Sequence, residues 1–421
     1  MEEKQRAQII IIGAGFGGLT IAKAFRNKNV DVLLIDQNNY HNFQPLMYQV
    51  ATGGLEPHSI AYPVRRIFRK CRNVTFRMAK VKSVNAEKKR LKTSIGIMYF
   101  DYLIIATGSQ NNFFNFEPIK KKLFPLKSIP DALNMRSFIF QNLEKSLTKL
   151  RNESVEEVLN IAVVGGGPAG IELAGALAEM KRYVIPKDFP DLDISKLSIN
   201  LYQSPSRLLC SMSEEASQKS LEYLRKLGID VFLNSRVVDY DGDLLTLKDG
   251  TTFPTDTVIW TAGVKGAPIS GLPMESIVIG NRISVDEYNQ VISTDSIFAI
   301  GDVAAHITNE NPKGLPMLAP VAKQQGMHLA KNILNLINKQ EIEPFTYKNK
   351  GTMATIGRKK AVVDLPNWKF QGFFAWLVWM FVHIISLVGF RNRIVAFMDW
   401  MRNYFTYDRP LGLIIRPYKR R

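Results

Sequence analysis

Two glycine clusters in the sequence have the spacing G-x-G-x-x-G, which suits the binding of a diphosphate. The first cluster consists of Gly13, Gly15 and Gly18, and the second of Gly165, Gly167 and Gly170. The first glycine permits a tight turn, the second lets the backbone approach the phosphates, and the third lets a helix pack closely on a strand. Unpaired N–H groups and the dipole at the start of that helix favour anions. The spacing therefore predicts two dinucleotide-binding sites.

Each cluster follows a run of apolar, mostly β-branched residues, which is typical of a buried parallel strand. Ile9–Ile12 precede the first cluster and Ile161–Val164 precede the second. Beyond the first cluster, a strand predicted at Val32–Ile35 ends in Asp36, eighteen residues after Gly18. A carboxylate at this position can bind both hydroxyls of an adenosine ribose. Strand, glycine loop, helix, strand and acid thus occur in the order of a Rossmann-like domain.

The second cluster leads to a different residue at the end of the next strand. That predicted strand ends in Gln203, 33 residues after Gly170, where NAD-binding domains usually carry Glu or Asp. Two dinucleotide sites in one chain indicate a flavin and a nicotinamide, because these cofactors exchange a hydride. Gln203 can bind a ribose hydroxyl without repelling a 2′-phosphate, so we expect a preference for NADH with relaxed exclusion of NADPH. The alternative is that Gln203 is only a polar residue at a strand end.

Composition limits the remaining classes of function. The chain has 421 residues, enough for two or three domains, and a net charge of +17. Positive charge suggests attraction to an anionic surface, and since no nucleic-acid-binding motif is present, we expect acidic lipid and no nucleic acid. Cys71 and Cys210 stand alone without metal-ligand spacing, which predicts no metal site and no disulfide chemistry. The N-terminus does not resemble a signal peptide, so we expect most of the chain in the cytoplasm.

Further stretches resemble known proteins at two levels, first a broad group of flavoproteins and then one narrower family. Similarity to flavoproteins with two dinucleotide-binding domains is found in "DYLIIATGSQ" (101–110), "DTVIWTAGVKG" (256–266) and "IFAIGDVAA" (297–305). Similarity to type II NADH dehydrogenases is found in "NNYHNFQPLMYQVATGGLEP" (38–57), "MLAPVAKQQGMHLAKNI" (317–333), "GTMATIGRKKAVVDLP" (351–366) and the aromatic-rich stretch at 373–409. These are single-subunit, non-pumping NADH:quinone oxidoreductases that carry FAD, and the resemblance covers residues 8–415.

The resemblance implies site residues by position. Non-covalent FAD would be held by Gly13, Gly15, Gly18, Asp36, Thr107, Gly108, Gly301 and Asp302, with Gln44, Pro45 and Leu46 near the isoalloxazine. NADH would be held by Gly165, Gly167, Gly170, Gln203, Ala262 and Gly263. Glu172 corresponds to a glutamate that lies beside the nicotinamide and the flavin in the family. The alternative for Glu172 is a first-turn carboxylate that complements the helix dipole.

The quinone site departs from the family pattern. Many members open a helix below the flavin with Ala-Gln-x-x-x-Gln, and here the first glutamine is replaced by Pro320. Pro320 suits the first turn of a helix, so we expect the helix to persist. The second glutamine is present as Gln324, and Gln325 follows it. The resemblance implies that these two glutamines bind the quinone.

Together these features predict an α/β fold with two Rossmann-like domains and a C-terminal helical module at the membrane surface. We expect an FAD domain at residues 1–118 and 264–345, an NADH domain at 119–263 and a membrane-association module at 346–421. The predicted reaction is NADH oxidation with two-electron reduction of menaquinone or ubiquinone. Alternatives are a sulfide:quinone oxidoreductase-like enzyme, which would need redox cysteines, another NAD(P)H–flavin reductase, and a non-enzymatic, membrane-docked NADH sensor. Homodimers are frequent in the family, but the sequence does not show one.

The run Phe373–Phe390 has eighteen residues without a formal charge, which is near the length of a membrane-spanning helix. A span would export residues 391–421, whose net charge is +6, against the positive-inside tendency. The following segment is amphipathic, with one apolar face formed by Ile394, Phe397, Met398, Met401 and Phe405. We therefore expect two helices lying in the cytoplasmic face of the membrane, anchored by Trp368, Trp376, Trp379 and Trp400. A span and a buried core or dimer helix are the alternatives.

Overall fold

The chain divides into two compact units. The first unit comprises Met1–Asn42, Ala61–Gln110 and Val264–Asn349, and the second comprises Phe43–Ile60, Asn111–Gly263 and Lys350–Arg421. The computed structural model describes residues 6–114, 119–150, 159–406, 412–414 and 417–418, without the side chains of residues 148–150 and 403–405. The predicted domain boundary at residue 118 lies outside the described residues.

The described residues form helices and strands in regular alternation over much of the chain. The helices are α1 (Phe16–Ala24), α2 (Met47–Ala51), α3 (Pro57–Ile60), α4 (Val64–Phe68), α5 (Ile129–Leu150), α6 (Pro168–Tyr183), α7 (Ile185–Asp188), α8 (Glu214–Lys226), α9 (Ala319–Ile337), α10 (Phe373–Ser386) and α11 (Phe390–Thr406). The strands are β1 (Ala7–Ile12), β2 (Val30–Asp36), β3 (Tyr40–Asn42), β4 (Ala61–Pro63), β5 (Val74–Met78), β6 (Val81–Asn85), β7 (Arg90–Thr93), β8 (Gly96–Tyr99), β9 (Tyr102–Ile105), β10 (Ser109–Asn111), β11 (Phe124–Pro125), β12 (Leu159–Val164), β13 (Leu197–Tyr202), β14 (Asp230–Phe232), β15 (Val237–Tyr240), β16 (Leu244–Leu247), β17 (Thr252–Pro254), β18 (Thr257–Trp260), β19 (Val264–Gly266), β20 (Ile277–Val278), β21 (Arg282–Val285), β22 (Ile297–Ala299), β23 (Ala304–His306), β24 (Thr352–Thr355), β25 (Ala361–Asp364) and β26 (Lys369–Gly372).

The first unit is built on a parallel sheet with the strand order β22-β9-β1-β2-β5. Its central strand β1 contains the isoleucine run Ile9–Ile12, which is buried as a central parallel strand requires. Helix α1 follows β1 and packs against α9, where a Cβ atom at Gly326 would lie 2.9 Å from the carbonyl oxygen of Gly17. The carboxyl ends of β1, β2, β9 and β22 therefore meet at one edge, where open parallel sheets bind ligands.

The second unit is built on another parallel sheet, with the order β11-β18-β12-β13-β14. Helix α6 follows β12, and its residues Gly170–Met180 are buried throughout. The two predicted Rossmann-like sheets are confirmed. Each contains the predicted glycine-loop strand, extended toward its N-terminus to Ala7 and Leu159.

The C-terminal part of the second unit is a three-stranded antiparallel sheet, β24-β25-β26, followed by α10 and α11. The apolar run does not form one long helix, because α10 ends at Ser386 and Gly389 adopts a positive φ of 90° before α11 begins. None of the helices in the described ranges combines the length and the apolarity that a membrane span requires.

The predicted apolar face of α11 is exposed at Ile394, Phe397, Met398 and Met401, whereas the side chain of Phe405 lies outside the described part. Trp379 does not fit the predicted role of interfacial anchor, because it is only 2% exposed and is packed inside the second unit. Several charged residues of the predicted basic tail lie outside the described residues, namely Asp408, Arg409, Arg416, Lys419, Arg420 and Arg421.

Candidate active site

The first glycine cluster forms a cradle whose shape depends on its glycines. Gly13 has a φ of +103°, and a Cβ atom there would lie 2.3 Å from the carbonyl oxygen of Ala106. A Cβ atom at Gly18 would lie 1.8 Å from the oxygen of Gly13. Gly15, in contrast, faces open space and precedes the first residue of α1 with no side-chain cap. This helix start, which no side chain caps, fits the diphosphate of FAD.

Asp36 stands at the end of β2 beside this cradle. Its carboxylate accepts hydrogen bonds from the N–H groups of Ala14 and Asn38, both at 2.7 Å. Burial raises the pKa of Asp36, and these two hydrogen bonds oppose the rise. His41 supports the same loop through a contact of 2.8 Å between Nδ1 and the oxygen of Ala14. Burial lowers the pKa of His41 to about 4, so it is neutral at pH 7 and structural.

The ends of β9 and β22 bring two further predicted elements together in the first unit. The Ser109 hydroxyl donates to Asp302 at 2.5 Å, which links the Thr107-Gly108 turn to the Gly301-Asp302 turn. Gly108 and Gly301 have φ values of +71° and +73°. At this edge, glycines leave space beside the Asp302 carboxylate. A carboxylate in an open position can accept hydrogen bonds from the hydroxyls of a ribityl chain.

Helix α9 begins at Ala319 with Pro320 in its first turn, as predicted. Gln324 exchanges two hydrogen bonds with the backbone of Lys348, at 2.9 and 3.0 Å. Gln325 is buried, accepts from the N–H of Gly301 at 2.8 Å and donates to Asn289 at 2.7 Å. Both amides are engaged within the protein, and a quinone would have to displace these partners to bind them.

The second glycine cluster reproduces the first. Gly165 has a φ of +113°, and a Cβ atom there would lie 2.7 Å from Cα of Ala262. Gly167 faces open space in front of α6, while Gly170 packs against the Gly165 carbonyl. Gly263 has a φ of +153°, which L side chains rarely adopt, and a Cβ atom there would lie 3.1 Å from the ring of Phe114. The loop and the Ala262-Gly263 segment thus lie together, and the open helix start fits a second dinucleotide.

Gln203 is placed like Asp36 in the other sheet. Its Oε1 accepts from the N–H of Gly166 at 2.7 Å, and its Nε2 donates to the oxygen of Arg207 at 3.0 Å. Each strand-end residue thus holds the second residue of its glycine loop, and this shared contact could not be read from the sequence. At Gln203 the contact is made by an uncharged amide.

The predicted flavin neighbours Gln44–Leu46 form a short 3₁₀ turn in the second unit, directly before α2. Leu46 is buried and Gln44 is exposed, with Oε1 3.5 Å from Nζ of Lys127. The same segment then supplies Tyr48 and Gln49 to a cavity within this unit.

Glu172 lies on α6, two residues after the last glycine of the second loop, and is only 7% exposed. Its Oε1 accepts from the N–H of Thr355 at 3.3 Å. Burial raises the pKa of Glu172 to about 8, although the Thr355 N–H and the nearby Trp379 indole lower it. That indole does not meet hydrogen-bond geometry, so its N–H is buried without a partner. Glu172 is therefore a neutral carboxylic acid at pH 7.

An open cleft lies beside Glu172 in the second unit, and its empty space together with the adjoining solvent amounts to about 580 Å³. It is lined by Tyr48, Gln49, Thr52, Gly54, Glu172, Ala176, Glu179, Thr355, Gly357, Arg358, Trp376, Trp379 and Trp400. Trp400 donates from Nε1 to Gln49 Oε1 at 2.7 Å, and Gln49 donates to the Tyr48 hydroxyl at 2.9 Å. An aromatic cavity with a few convergent polar groups can bind a flat, polar-edged ring. The cavity was not predicted from the sequence. The only feature that pointed to it was the enrichment of tryptophan after residue 367.

Comparisons with known proteins identify the family. The profile described as pyridine nucleotide-disulphide oxidoreductase matches residues 7–326, and the NDH2 C-terminal domain matches residues 349–407. A type II NADH:quinone oxidoreductase of Mycobacterium tuberculosis is 32% identical over 424 residues, covering 96% of this chain and 89% of the relative. The chain belongs to the type II NADH dehydrogenase family.

Solved structures agree with this fold. NDH2 from Plasmodium falciparum has a TM-score of 0.88 and 24% identity, covering 98% of this chain and all of the other. The sulfide:quinone oxidoreductase of Aquifex aeolicus has a TM-score of 0.73 and 20% identity, covering 97% and 96% of the two chains. At these identities the likeness shows a shared fold alone. The predicted family is confirmed, and the match to the NDH2 C-terminal domain favours it over the sulfide-oxidising alternative.

Proposed function

We propose that this type II NADH dehydrogenase oxidises NADH and reduces a membrane quinone, menaquinone or ubiquinone, with FAD as its non-covalent cofactor and without pumping protons. One observation carries the proposal. Helix α6 starts at the open glycine loop that fits a dinucleotide, and on the same helix Glu172 presents a neutral carboxylic acid to an aromatic cavity. The division into an FAD domain at 1–118 and 264–345, an NADH domain at 119–263 and a membrane module at 346–421 is part of this proposal.

The residues that hold FAD lie at the carboxyl edge of the first sheet. The open helix start at Gly15 receives the diphosphate, Asp36 the adenosine ribose, and the turns at Thr107-Gly108 and Gly301-Asp302 the ribityl side. Bound there, FAD supplies hydride acceptance from a nicotinamide and delivery of electrons to a second substrate. Gln44, Pro45 and Leu46 stay the predicted neighbours of the isoalloxazine.

The residues that hold NADH lie at the carboxyl edge of the second sheet. Gly165, Gly167 and Gly170 receive its diphosphate, Gln203 its ribose, and Ala262-Gly263 close the loop. Gln203 provides no carboxylate to repel a 2′-phosphate, and its amide is neutral.

Discrimination against NADPH is therefore expected to be weak. We expect the ratio of kcat/KM for NADH over NADPH to lie below about 10⁴, which corresponds to about 5.5 kcal/mol. Replacing Gln203 with Glu should raise this ratio, because the carboxylate repels the 2′-phosphate. Steady-state kinetics of the wild type and of Gln203→Glu with both nucleotides measure this ratio. A wild-type ratio above about 10⁴ contradicts the role of Gln203.

The cavity beside Glu172 is proposed to receive the quinone ring. Its tryptophans supply flat apolar contact, and the Glu172 carboxyl can donate a proton to a quinone oxygen at pH 7, because its pKa is raised to about 8. Gln324 and Gln325 remain the alternative quinone contacts implied by the family pattern.

The C-terminal helices are proposed to bind an anionic lipid surface on the cytoplasmic face of the inner membrane. Exposed apolar side chains cover α10 and α11, and the arginines among them can reach lipid headgroups. These apolar side chains are Phe373, Phe374, Phe381, Val382, Ile385, Phe390, Ile394, Phe397, Met398 and Met401.

A homodimer is expected from the family resemblance. Light scattering of the purified protein tests this expectation.

Removing two of these aromatic side chains should release the protein from lipid. We expect Phe381→Asp with Phe390→Asp to lower the affinity for vesicles of anionic phospholipid at least tenfold, because each side chain is largely exposed and each carboxylate adds repulsion. The matched control is Met274→Asp in the first unit, where the methionine is 90% exposed. Vesicle co-sedimentation measures binding; equal loss in the control, or no loss in the double variant, contradicts the proposal.

Quinone-dependent NADH consumption by the FAD-loaded protein tests the reaction itself. We expect rapid oxidation of NADH on addition of a short-chain quinone and no oxidation of sulfide under the same conditions. Cys71 and Cys210 are both free thiols, which supports this expectation. Sulfide oxidation, or NADH binding without turnover, would favour the alternative enzyme or the sensor.

A further inference from the structure

Glu179 is a second buried carboxyl in the wall of the same cavity, and the reaction described above gives it no role. It is 6% exposed and lies seven residues after Glu172 on α6, about 10 Å further along the helix axis. Ala176 lines the cavity between the two acids. Burying an acid is costly unless it is well solvated by the protein, so its position on this face calls for an explanation.

The turn after β24 holds Glu179 near the protein surface. The backbone N–H of Arg358 donates to Glu179 Oε1, and a Cβ atom at Gly357 would lie 3.0 Å from that oxygen. Gly357 has a φ of +62°, so a glycine suits both the space and the backbone. Arg358 is half-buried and Lys359 is exposed. The Glu179 end of the cavity therefore adjoins a turn that reaches solvent.

The proposed reaction needs a proton at a buried place. NADH, a quinone and one proton give NAD⁺ and a quinol, so one proton enters from solvent in each turnover. Glu172 can deliver a proton to a quinone oxygen, but its side chain is only 7% exposed and lies in the wall of the cavity. A carboxylate left at Glu172 must then be reprotonated from inside the cavity.

We propose that Glu179 relays protons from solvent at the Arg358 turn to Glu172. The inference rests on the proposed function, since it concerns the same cavity. The Glu179 carboxyl gives its proton through cavity water to the Glu172 carboxylate and takes one from solvent beside Arg358, so each step moves one proton and no electron. Among the described residues that line the cavity, the titratable side chains are Tyr48, Glu172, Glu179 and Arg358.

Glu179→Gln tests the relay, because glutamine keeps the carbonyl oxygen that accepts from Arg358 and removes only the titrating proton. In anaerobic stopped-flow, we expect the NADH-reduced holoenzyme of this variant to be reoxidised by saturating short-chain quinone at least tenfold more slowly. We expect an unchanged rate of flavin reduction by NADH, a larger solvent isotope effect on reoxidation, and recovery of most of the rate in Glu179→Asp. Glu214→Gln, an exposed acid on α8, is the control and should match the wild type.

The outcomes separate the relay from the function on which it rests. Wild-type reoxidation in Glu179→Gln together with slow reoxidation in Glu172→Gln overturns the relay and leaves the quinone site intact. Wild-type reoxidation in both variants overturns the cavity assignment. Equal slowing in Glu179→Asp and Glu179→Gln overturns the relay in favour of a structural role.

A second variant carries the test if Glu179→Gln does not retain flavin. Ala176→Val narrows the cavity between the two acids and leaves both of them in place. We expect at least fivefold slower reoxidation at saturating quinone with an unchanged quinone KM. An unchanged rate overturns the relay, and a change in KM alone places Ala176 against the quinone and overturns the proposed water path.

Discussion

Replacing Glu172 with Gln is expected to slow reoxidation of the reduced protein by quinone about 100-fold, at the lower end of what a positioned general acid contributes. Glutamine keeps an oxygen for the Thr355 N–H, so the packing of α6 against the β24 turn persists. Reduction of the flavin by NADH should keep its wild-type rate, because the glycine loop and Gln203 are unchanged. Stopped-flow absorbance of the two half-reactions measures both rates.

The pH dependence of the wild type is a second test of Glu172 as the proton donor to the quinone. Burial raises the pKa of Glu172 to about 8, so the side chain holds its proton below that pH and loses it above. The rate of reoxidation by quinone should fall as the pH rises through 8, and this fall should be absent in Glu172→Gln. If the wild-type rate of reoxidation does not depend on pH, or if Gln324→Ala is slow and Glu172→Gln is not, the quinone binds at the start of α9 and not beside Glu172.

Replacing Gly15 with Asp is expected to weaken FAD binding by about 1,000-fold while the protein stays folded. A Cβ atom at Gly15 meets nothing within 4 Å, and its φ of −72° suits any residue. Aspartate would even cap α1, which is worth about 1 kcal/mol. Its charge, however, would face the diphosphate, and repulsion between unit charges 4 Å apart is about 4 kcal/mol near a protein surface.

Flavin content after purification and titration of the apoprotein with FAD measure this loss, and thermal unfolding of the apoprotein checks the fold. Gly15→Ser, which caps without a charge, should retain most of the flavin. The matched substitution Gly167→Asp should leave FAD bound and raise the KM for NADH. Full flavin occupancy in Gly15→Asp contradicts the placement of the diphosphate at α1.

Local sequence was sufficient to predict the parts of the fold that local physics determines. The β-branched runs, the glycine spacing and the strand-end residues Asp36 and Gln203 each fall within one contiguous stretch, Ile9–Asp36 or Ile161–Gln203, and both sheets are formed as predicted. Pro320 at the start of α9 followed from the geometry of a helix's first turn. The glycine loops need no distant partner to be recognised.

The aromatic cavity could not be predicted in the same way, because its walls come from distant parts of the chain. Tyr48, Glu172, Thr355, Trp379 and Trp400 meet only after the segment at 43–60 and the C-terminal helices have packed within the second unit. Trp379 illustrates the error. Composition placed it among the interfacial tryptophans, whereas packing turned it toward Glu172. Gln325 likewise gave no sign in the sequence that it faces Gly301 and Asn289.

Anaerobic spectroscopy of the FAD-loaded protein shows whether the protein passes electrons from NADH to a quinone. The protein is mixed first with one equivalent of NADH and then with a short-chain quinone, and flavin absorbance is followed through both steps. We expect rapid bleaching by NADH and full recovery on addition of quinone. Bleaching by sulfide in place of NADH, or bleaching by NADH that quinone does not reverse, would contradict it.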